Sequence, residues 1–420
     1  AAPAGDGARQ GDAAGNAGIS ATLSALSFEN FLVFWKRVMQ DALDIAERLC
    51  EYSVLIHESA RAGLTEDASA GLSVPGRSHR VEAEVSSELF RLYEVIMSSF
   101  LQKSGVLLQA RQGEHQSLKA SEWQKLLTFT NQCLDKVKGL QEQSKQRLSP
   151  GDPSTGADVR TGMRAILYTQ TKNIVEECHQ KLLAQMQCAV EQERWERTDV
   201  PAPYKHILEQ LISRDQVVEI NSSDQQGVER YLHVEGVHFL VVPAVLTLVQ
   251  LLNEYVQLVR DFGSLAAEVV QRMTTMLRLF NQKTQQIVLG GQAVQMQILK
   301  KITASNLALC SRCCELVTQI LPNLQANLLS IVDKQHGQPS LPASSHPARG
   351  AVATLVNDLS TVATEYSDHR NALFGKLSDL LVKAYEFHAK KWLGSPHPEM
   401  KAGSLLGCEE EGGGGAAAGE

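Results

Sequence analysis

Apolar residues recur every three or four positions through most of this chain, a spacing that gives each helix one face to bury. Over residues 28–61 the stripe is Phe31, Phe34, Trp35, Val38, Ala42, Ile45, Leu49 and Tyr52. Val85, Leu89, Leu92, Ile96 and Phe100 repeat it over 82–111. A third helix is expected from Ser121, whose hydroxyl can cap the first turn with Gln124 three positions on. A fourth, over 158–196, carries Ile166, Ile174, Val175, Leu182 and Met186. Three polar stretches, Gly63–His79, Ser149–Ala157 and Lys334–Gly350, hold turn formers and no stripe, and read as loops.

The pattern changes after Trp195. The prolines of Asp199-Val200-Pro201-Ala202-Pro203 lack donors and constrain their predecessors, so the helix must stop. A short helix over about 204–213 follows. Tyr231–Val234 and Val237–Val242 are β-rich runs split by Glu235-Gly236, which suits a two-residue hairpin turn. Pro243 is well placed as a first helical residue. Helices then resume over about 243–262, 264–289, 292–333 and 350–393. Gly263 reads as a left-handed stop with Ser264 as the next cap, Gly290-Gly291 as a stop and restart, and Pro322 as a kink or an end.

The expected fold class is therefore all-α: elongated, stacked helical bundles with one short β-hairpin insertion. The expected organisation is a disordered Ala/Gly tail over 1–19, an N-terminal helical rod over 20–198, and a Pro-containing junction with a short helix over 199–230. A C-terminal bundle opening with the hairpin then occupies 231–393, and a disordered tail 394–420.

Composition narrows the function classes. Lys and Arg number 40 against 47 Asp and Glu, a net charge of −7, which disfavours a strong non-specific nucleic-acid binder. Apolar residues make up 43% and aromatics 5%, mostly leaving Leu, Val, Ala and Ile to pack helix on helix. The longest apolar run, Phe239–Leu252, is 14 residues, about 21 Å as a helix and short of a ~30 Å hydrocarbon core. No signal peptide is evident, and the chain opens without an initiator Met, as a processed or excised chain would. Eight scattered cysteines fit a reducing compartment better than a disulfide framework.

Several residues invite a chemical reading. Cys310-Ser-Arg-Cys313-Cys314 offers half of a zinc site or a redox pair, but no second Cys pair or close His pair follows it. It lies mid-helix on an apolar stripe, where core packing is the expectation and a thiol- or metal-dependent enzyme the alternative. His233 and His238 can face each other across the hairpin with no further ligand in register, and read as strand-surface residues. His57, His179 and His388 sit singly on helices. Glu176-Glu177 reads as a solvated face. Lys390-Lys391-Trp392, after Tyr385 and Phe387, reads as a fraying helix end rather than a membrane contact. No phosphate loop or Gly-x-Ser-x-Gly elbow is present. No catalytic residue, metal, cofactor, nucleic acid or small-molecule substrate is expected.

Several short stretches occur in an order that carries a family resemblance. They are Glu193-Arg-Trp195-Glu-Arg-Thr-Asp199-Val-Pro201-Ala202, Val234-Glu235-Gly236, and Leu289-Gly290 leading into Leu299-Lys-Lys-Ile-Thr303. Asn306-Leu-Ala-Leu309, Ser311-Arg312-Cys313 and Tyr366-Ser-Asp368-His369 follow. Through them residues 176–382 resemble the vacuolar protein sorting-associated protein 54 family, whereas residues 20–175 share only its helical style. The resemblance implies a non-catalytic, rod-like subunit of the Golgi-associated retrograde protein complex. Its partners would be the other subunits of that complex and SNARE proteins. It would sit peripherally on the cytosolic face of the trans-Golgi network and of endosome-derived carriers. The family's N-terminal coiled region is barely represented here, and its last domain continues through more helices than this chain carries. A subunit of a related helical tether, endosome-recycling or exocyst-like, is the second reading.

Overall fold

A computed structural model describes residues 18, 21–69, 77–148, 158–212, 227–296, 300–335 and 347–394. Among them the chain is all-α apart from two small antiparallel strand pairs. Helices α1 (Phe28–Ser69), α2 (Arg77–Ala110), the short α3 (Gln112–Gln116), α4 (Ala120–Leu148) and α5 (Thr161–Glu191) form the first half. There α1 packs on α2 and α4, and α5 on α2 and α4. Strand β1 (Val200–Pro201), helix α6 (Pro203–Ile212), and strands β2 (Val228–Glu229), β3 (Leu232–Val234) and β4 (Val237–Phe239) follow. Helices α7 (Pro243–Asp261), α8 (Ala266–Val288), α9 (Gln292–Gln295), α10 (Ala304–Gln335) and α11 (Pro347–Gly394) complete it. We propose residues 199–230 as the junction between the halves; α5 lies against helices of both, packing on α7 and α8 as well.

The predicted stripes are the buried faces. Val245, Leu248, Leu252, Tyr255 and Val259 of α7 are all buried, as are Val269, Met273, Met276, Leu277 and Phe280 of α8. Helices α10 and α11 run antiparallel, as the contacts Gln325–Val356 and Cys314–His369 require. With 48 residues, α11 is about 72 Å long. Its face is buried as far as Leu373; beyond it Phe374, Leu381, Val382, Tyr385, Phe387, Trp392 and Leu393 are all exposed. The helix continues through Lys390-Lys391-Trp392 to Gly394, so this is not a frayed end.

A repeated device pins the N-terminal half. The Trp35 indole N–H donates to Thr130 Oγ1 on α4 at 2.8 Å, and the Trp123 indole to Thr171 Oγ1 on α5 at 2.9 Å. Both threonines also donate to the carbonyl one turn back, Leu126 and Leu167 respectively. Each large ring thereby buries its surface without orphaning its donor. Replacing Thr130 with Val keeps the shape but strands the Trp35 N–H. Thr130→Val is expected to cost about 1–2 kcal/mol in urea unfolding, with Trp35→Phe on the same background recovering part of it.

Several boundaries differ from the sequence expectation. Helix α1 runs to Ser69, past Gly63, which a helix tolerates at modest cost. Helix α4 starts at Ala120, where the Glu122 carboxylate accepts the Lys119 N–H, and Ser121 with Gln124 does not form the cap. Gly263 is not left-handed. It opens a 3-10 turn (Gly263–Leu265), and a Cβ there would strike the Gln335 side chain, whose amide donates to Val259 O and Arg260 O at the end of α7. Ser264 lies inside that turn and does not cap α8. The helix expected over 292–333 is broken: α9 ends at Gln295, and α10 begins only after Thr303, where a side-chain cap starts it afresh. Pro322 sits within α10 without ending it. Strand pair β1–β2 was not foreseen, because two-residue strands leave no alternation to read. Apart from residues 18 and 394, the expected terminal tails lie outside the described residues, as do 149–157 and 336–346.

Candidate functional site

The family-motif residues gather where α5 ends and α7 and α10 begin. Beyond Glu191 the chain turns, and Glu193 points inward, only 4% exposed. Its Oε1 accepts the Trp195 N–H at 2.8 Å and its Oε2 the Ala244 N–H at 2.7 Å. Ala244 is the second residue of α7, so its N–H has no partner within the helix. The residue preceding that helix, Val242, offers no side-chain cap. A carboxylate 51 positions away therefore caps α7, with the sign the helix dipole favours. Burial pushes the Glu193 carboxyl above its usual range, and the backbone N–H groups of Ala244, Trp195 and Arg194 pull it back.

Trp195 holds a left-handed backbone at φ 55° with its indole buried. Its carbonyl accepts the Asn306 amide at 3.0 Å. Asn306 Oδ1 in turn accepts the Thr303 N–H and hydroxyl, and Thr303 Oγ1 accepts the Asn306 N–H, a reciprocal box that opens α10. The Arg312 guanidinium donates to His238 O at 2.8 Å, lies 4.6 Å over the Phe239 ring, and pairs with Glu315. The turn residues Glu235 (φ 48°) and Gly236 (φ 79°) are both left-handed, as a tight hairpin needs, and Glu235 accepts the Asn323 amide at 2.8 Å. Val234 and Leu309 are buried beneath them. Asp199 pairs with Arg197 at 3.2 Å, and Pro201 lies opposite Val228 in β1–β2. The second β-rich run ends as a strand at Phe239, short of the expected Val242, and Val241 makes an isolated bridge to Thr198. A groove of about 470 Å³ opens over this junction, lined by Trp195, Arg197, Leu240, Asn306, Leu309 and Arg312.

The other motif residues lie elsewhere. Leu289 and Gly290 end α8, with Gly291 left-handed at φ 75°. Asp368 is exposed on α11. His369, one position on, is buried, and the structure brings it to the cysteines of α10. Cys310 Sγ, Cys314 Sγ and a ring nitrogen of His369 all lie within 4.8 Å of one another. Nδ1 of His369 is 3.6 Å from Cys314 Sγ and 2.7 Å from Asn281 Oδ1 on α8, while Nε2 is buried with no partner. Cys310 and His369 beside it hold the Cys314 thiol down, whereas burial raises Cys310 and Cys313. The one-turn spacing of Cys310 and Cys314 is visible in the sequence. The three cysteines are buried in the core, as expected, but the histidine, 55 positions on, is not visible in their spacing.

Of the remaining candidates, His233 and His238 do face each other in register, Nδ1 to Nδ1 at 2.5 Å. Glu229 Oε2 lies 3.5 Å from His233 Nε2, a neighbour the pairing pattern did not reveal. His179 is buried against the Tyr255 hydroxyl at 2.6 Å. Glu176 is not simply solvated: it ties α5 to Arg272 of α8 at 2.7 Å.

Comparison with known proteins agrees with the resemblance to the Vps54 family. Residues 236–383 match the family model described as Vps54-like protein. Vacuolar protein sorting-associated protein 54 of Homo sapiens is 28% identical over 232 residues, covering 54% of this chain and 23% of that protein. The Drosophila melanogaster protein of the same name is 30% identical over 166 residues, 39% of this chain and 18% of that protein. The Arabidopsis thaliana protein, whose name adds "chloroplastic", is 22% identical over 393 residues, 76% of this chain and 35% of that protein. That coverage takes in part of the N-terminal helices as well. The chain thus spans about a quarter of the human relative it matches. No solved structure matches. The matched residues 236–383 take in β4, α7, α8, α9, α10 and most of α11, and it is through them that the chain resembles the Vps54 family.

Proposed function

We propose that the chain is a non-catalytic subunit of a vesicle-tethering complex acting in retrograde transport from endosomes to the trans-Golgi network. It works through protein–protein contacts with the other subunits of the Golgi-associated retrograde protein complex and with SNARE proteins. It sits peripherally on the cytosolic face of the trans-Golgi network and of endosome-derived carriers. The observation that carries this reading is the Vps54-like match over 236–383. The junction geometry supports it, because Glu193, Trp195, Asn306 and Arg312 are spent on fixing helices to one another. Among the described residues no helix is long and apolar enough to cross a membrane, so attachment through partners is the reading adopted.

Affinity capture of the tagged full chain from its own cells tests this. The expected result is recovery of the other three tether subunits or Golgi SNAREs, with retrograde cargo missorted when the chain is depleted. Recovery of endosome-recycling or exocyst subunits instead would move the chain to a related tether. Recovery of neither, with cargo sorting intact after depletion, would overturn the proposal.

A further inference from the structure

The contact between Cys310, Cys314 and His369 joins α10 to α11, and Asn281 adds α8 to the same point. All four side chains are buried. Their own hydrogen bonds leave His369 Nε2 buried without a partner. Nδ1 of His369 has a single bonding position in the ring plane and two neighbours, Asn281 Oδ1 at 2.7 Å and Cys314 Sγ at 3.6 Å. A thiol is only a weak donor. The set is instead rich in electron-pair donors: two sulfurs one helical turn apart, one imidazole nitrogen and one amide oxygen.

The spacing fits a small tetrahedral cation. With Zn–S near 2.3 Å and Zn–N near 2.05 Å, the sulfur–nitrogen edge of a regular tetrahedron is about 3.6 Å. The separation of Cys314 Sγ and His369 Nδ1 is 3.6 Å. An oxygen–nitrogen edge is about 3.3 Å, so Asn281 Oδ1 has to swing outward by roughly half an ångström. Charge favours the same ion: two thiolates neutralise a divalent cation, so the filled site adds no net charge to a buried position.

We propose that Cys310, Cys314, His369 and Asn281 form a buried zinc site that clamps α8, α10 and α11 together. Binding takes one Zn²⁺ and releases two protons, one from each thiol, with no change of oxidation state. The bound ion does not require an enzymatic role: all four positions are filled by protein groups, the arrangement of a structural site rather than a catalytic one. The inference stands on this chain's own side chains and is independent of the tethering reading.

Metal analysis and cobalt substitution of the full chain test it. The purified protein is expected to carry close to one zinc per chain. After metal removal under reducing conditions, Co²⁺ titration should give intense thiolate-to-cobalt charge transfer and the ligand-field bands of a tetrahedral ion. Cys314→Ala and His369→Ala should each weaken binding by at least about 100-fold, and Cys313→Ala should leave the spectrum unchanged. A wild-type chain that binds neither zinc nor cobalt stoichiometrically overturns the proposal. So does a cobalt spectrum that survives both ligand substitutions. Should either variant fail to fold, the wild-type titration decides by itself.

Discussion

Glu193→Ala is expected to lower the unfolding free energy by about 3–5 kcal/mol. The carboxylate accepts two buried backbone donors, the Trp195 N–H and the Ala244 N–H, at 2.8 and 2.7 Å. Hydrogen bonds to a charged acceptor contribute about 1.5–3 kcal/mol each, and truncation takes both acceptor oxygens away from buried donors. The damage spreads, because the Trp195 backbone is held at φ 55°. A bulky residue adopts that conformation only when its surroundings enforce it. Freed from Glu193, Trp195 can relax, and its carbonyl then leaves the Asn306 amide that fixes the start of α10. Glu193→Gln preserves one acceptor oxygen and should cost roughly half as much. Urea unfolding followed by far-UV circular dichroism measures both variants. An alanine variant within 1 kcal/mol of wild type would show that the junction tolerates unpaired donors and that Glu193 is not its anchor.

That junction also marks where sequence pattern stops being informative. Helix faces were legible because burial on one side imposes a 3.6-residue period, and the α7 and α8 stripes reappear as buried faces residue by residue. The hairpin was legible because Glu235-Gly236 must supply two left-handed positions. The break between α9 and α10 was not, since Ile298, Leu299 and Ile302 continue the apolar spacing across it. Glu193 was placed by its motif, but a carboxylate in a sequence looks the same on a wet surface as under a helix end. Only the return of the chain at Pro243 gives it Ala244 to cap. The cysteine–histidine contact follows from the antiparallel register of α10 and α11. That register is set by a whole interface and is not encoded in any window containing Cys310 or His369 alone.

Acidification is expected to destabilise the N-terminal half through His115. The ring is buried, with Phe31 and Trp123 at 5.3 and 5.1 Å and Nδ1 3.1 Å from Gln170 Oε1. Burial, opposed by the Gln170 hydrogen bond and aided by the nearby Arg111 charge, lowers its pKa from 6.5 to about 4. Above pH 6.5 neither the folded nor the unfolded chain protonates this imidazole, and stability does not depend on it. As the pH falls from 6.5 towards 4, the unfolded chain binds a proton that the folded chain refuses, so stability drops by up to about 1.4 kcal/mol per pH unit. Across that window the loss is about 3 kcal/mol, complete near pH 4. His179, buried against Tyr255 and also shifted downward by burial, adds a smaller loss of the same sign. Urea midpoints read by tryptophan fluorescence between pH 7.5 and 4, for wild type and His115→Gln, check this, since Trp35 and Trp123 both report on this half. The glutamine variant should be less stable at neutral pH, by about 1–2 kcal/mol, yet lose most of the pH slope. Asp158, which Arg160 holds down to about 2, adds a loss of the same sign only near the acid end of the window, where the unfolded carboxylate begins to take up a proton, so the slope between pH 6.5 and 5 is the part that reports His115. A slope unchanged in His115→Gln would place the acid sensitivity of this half in a different group.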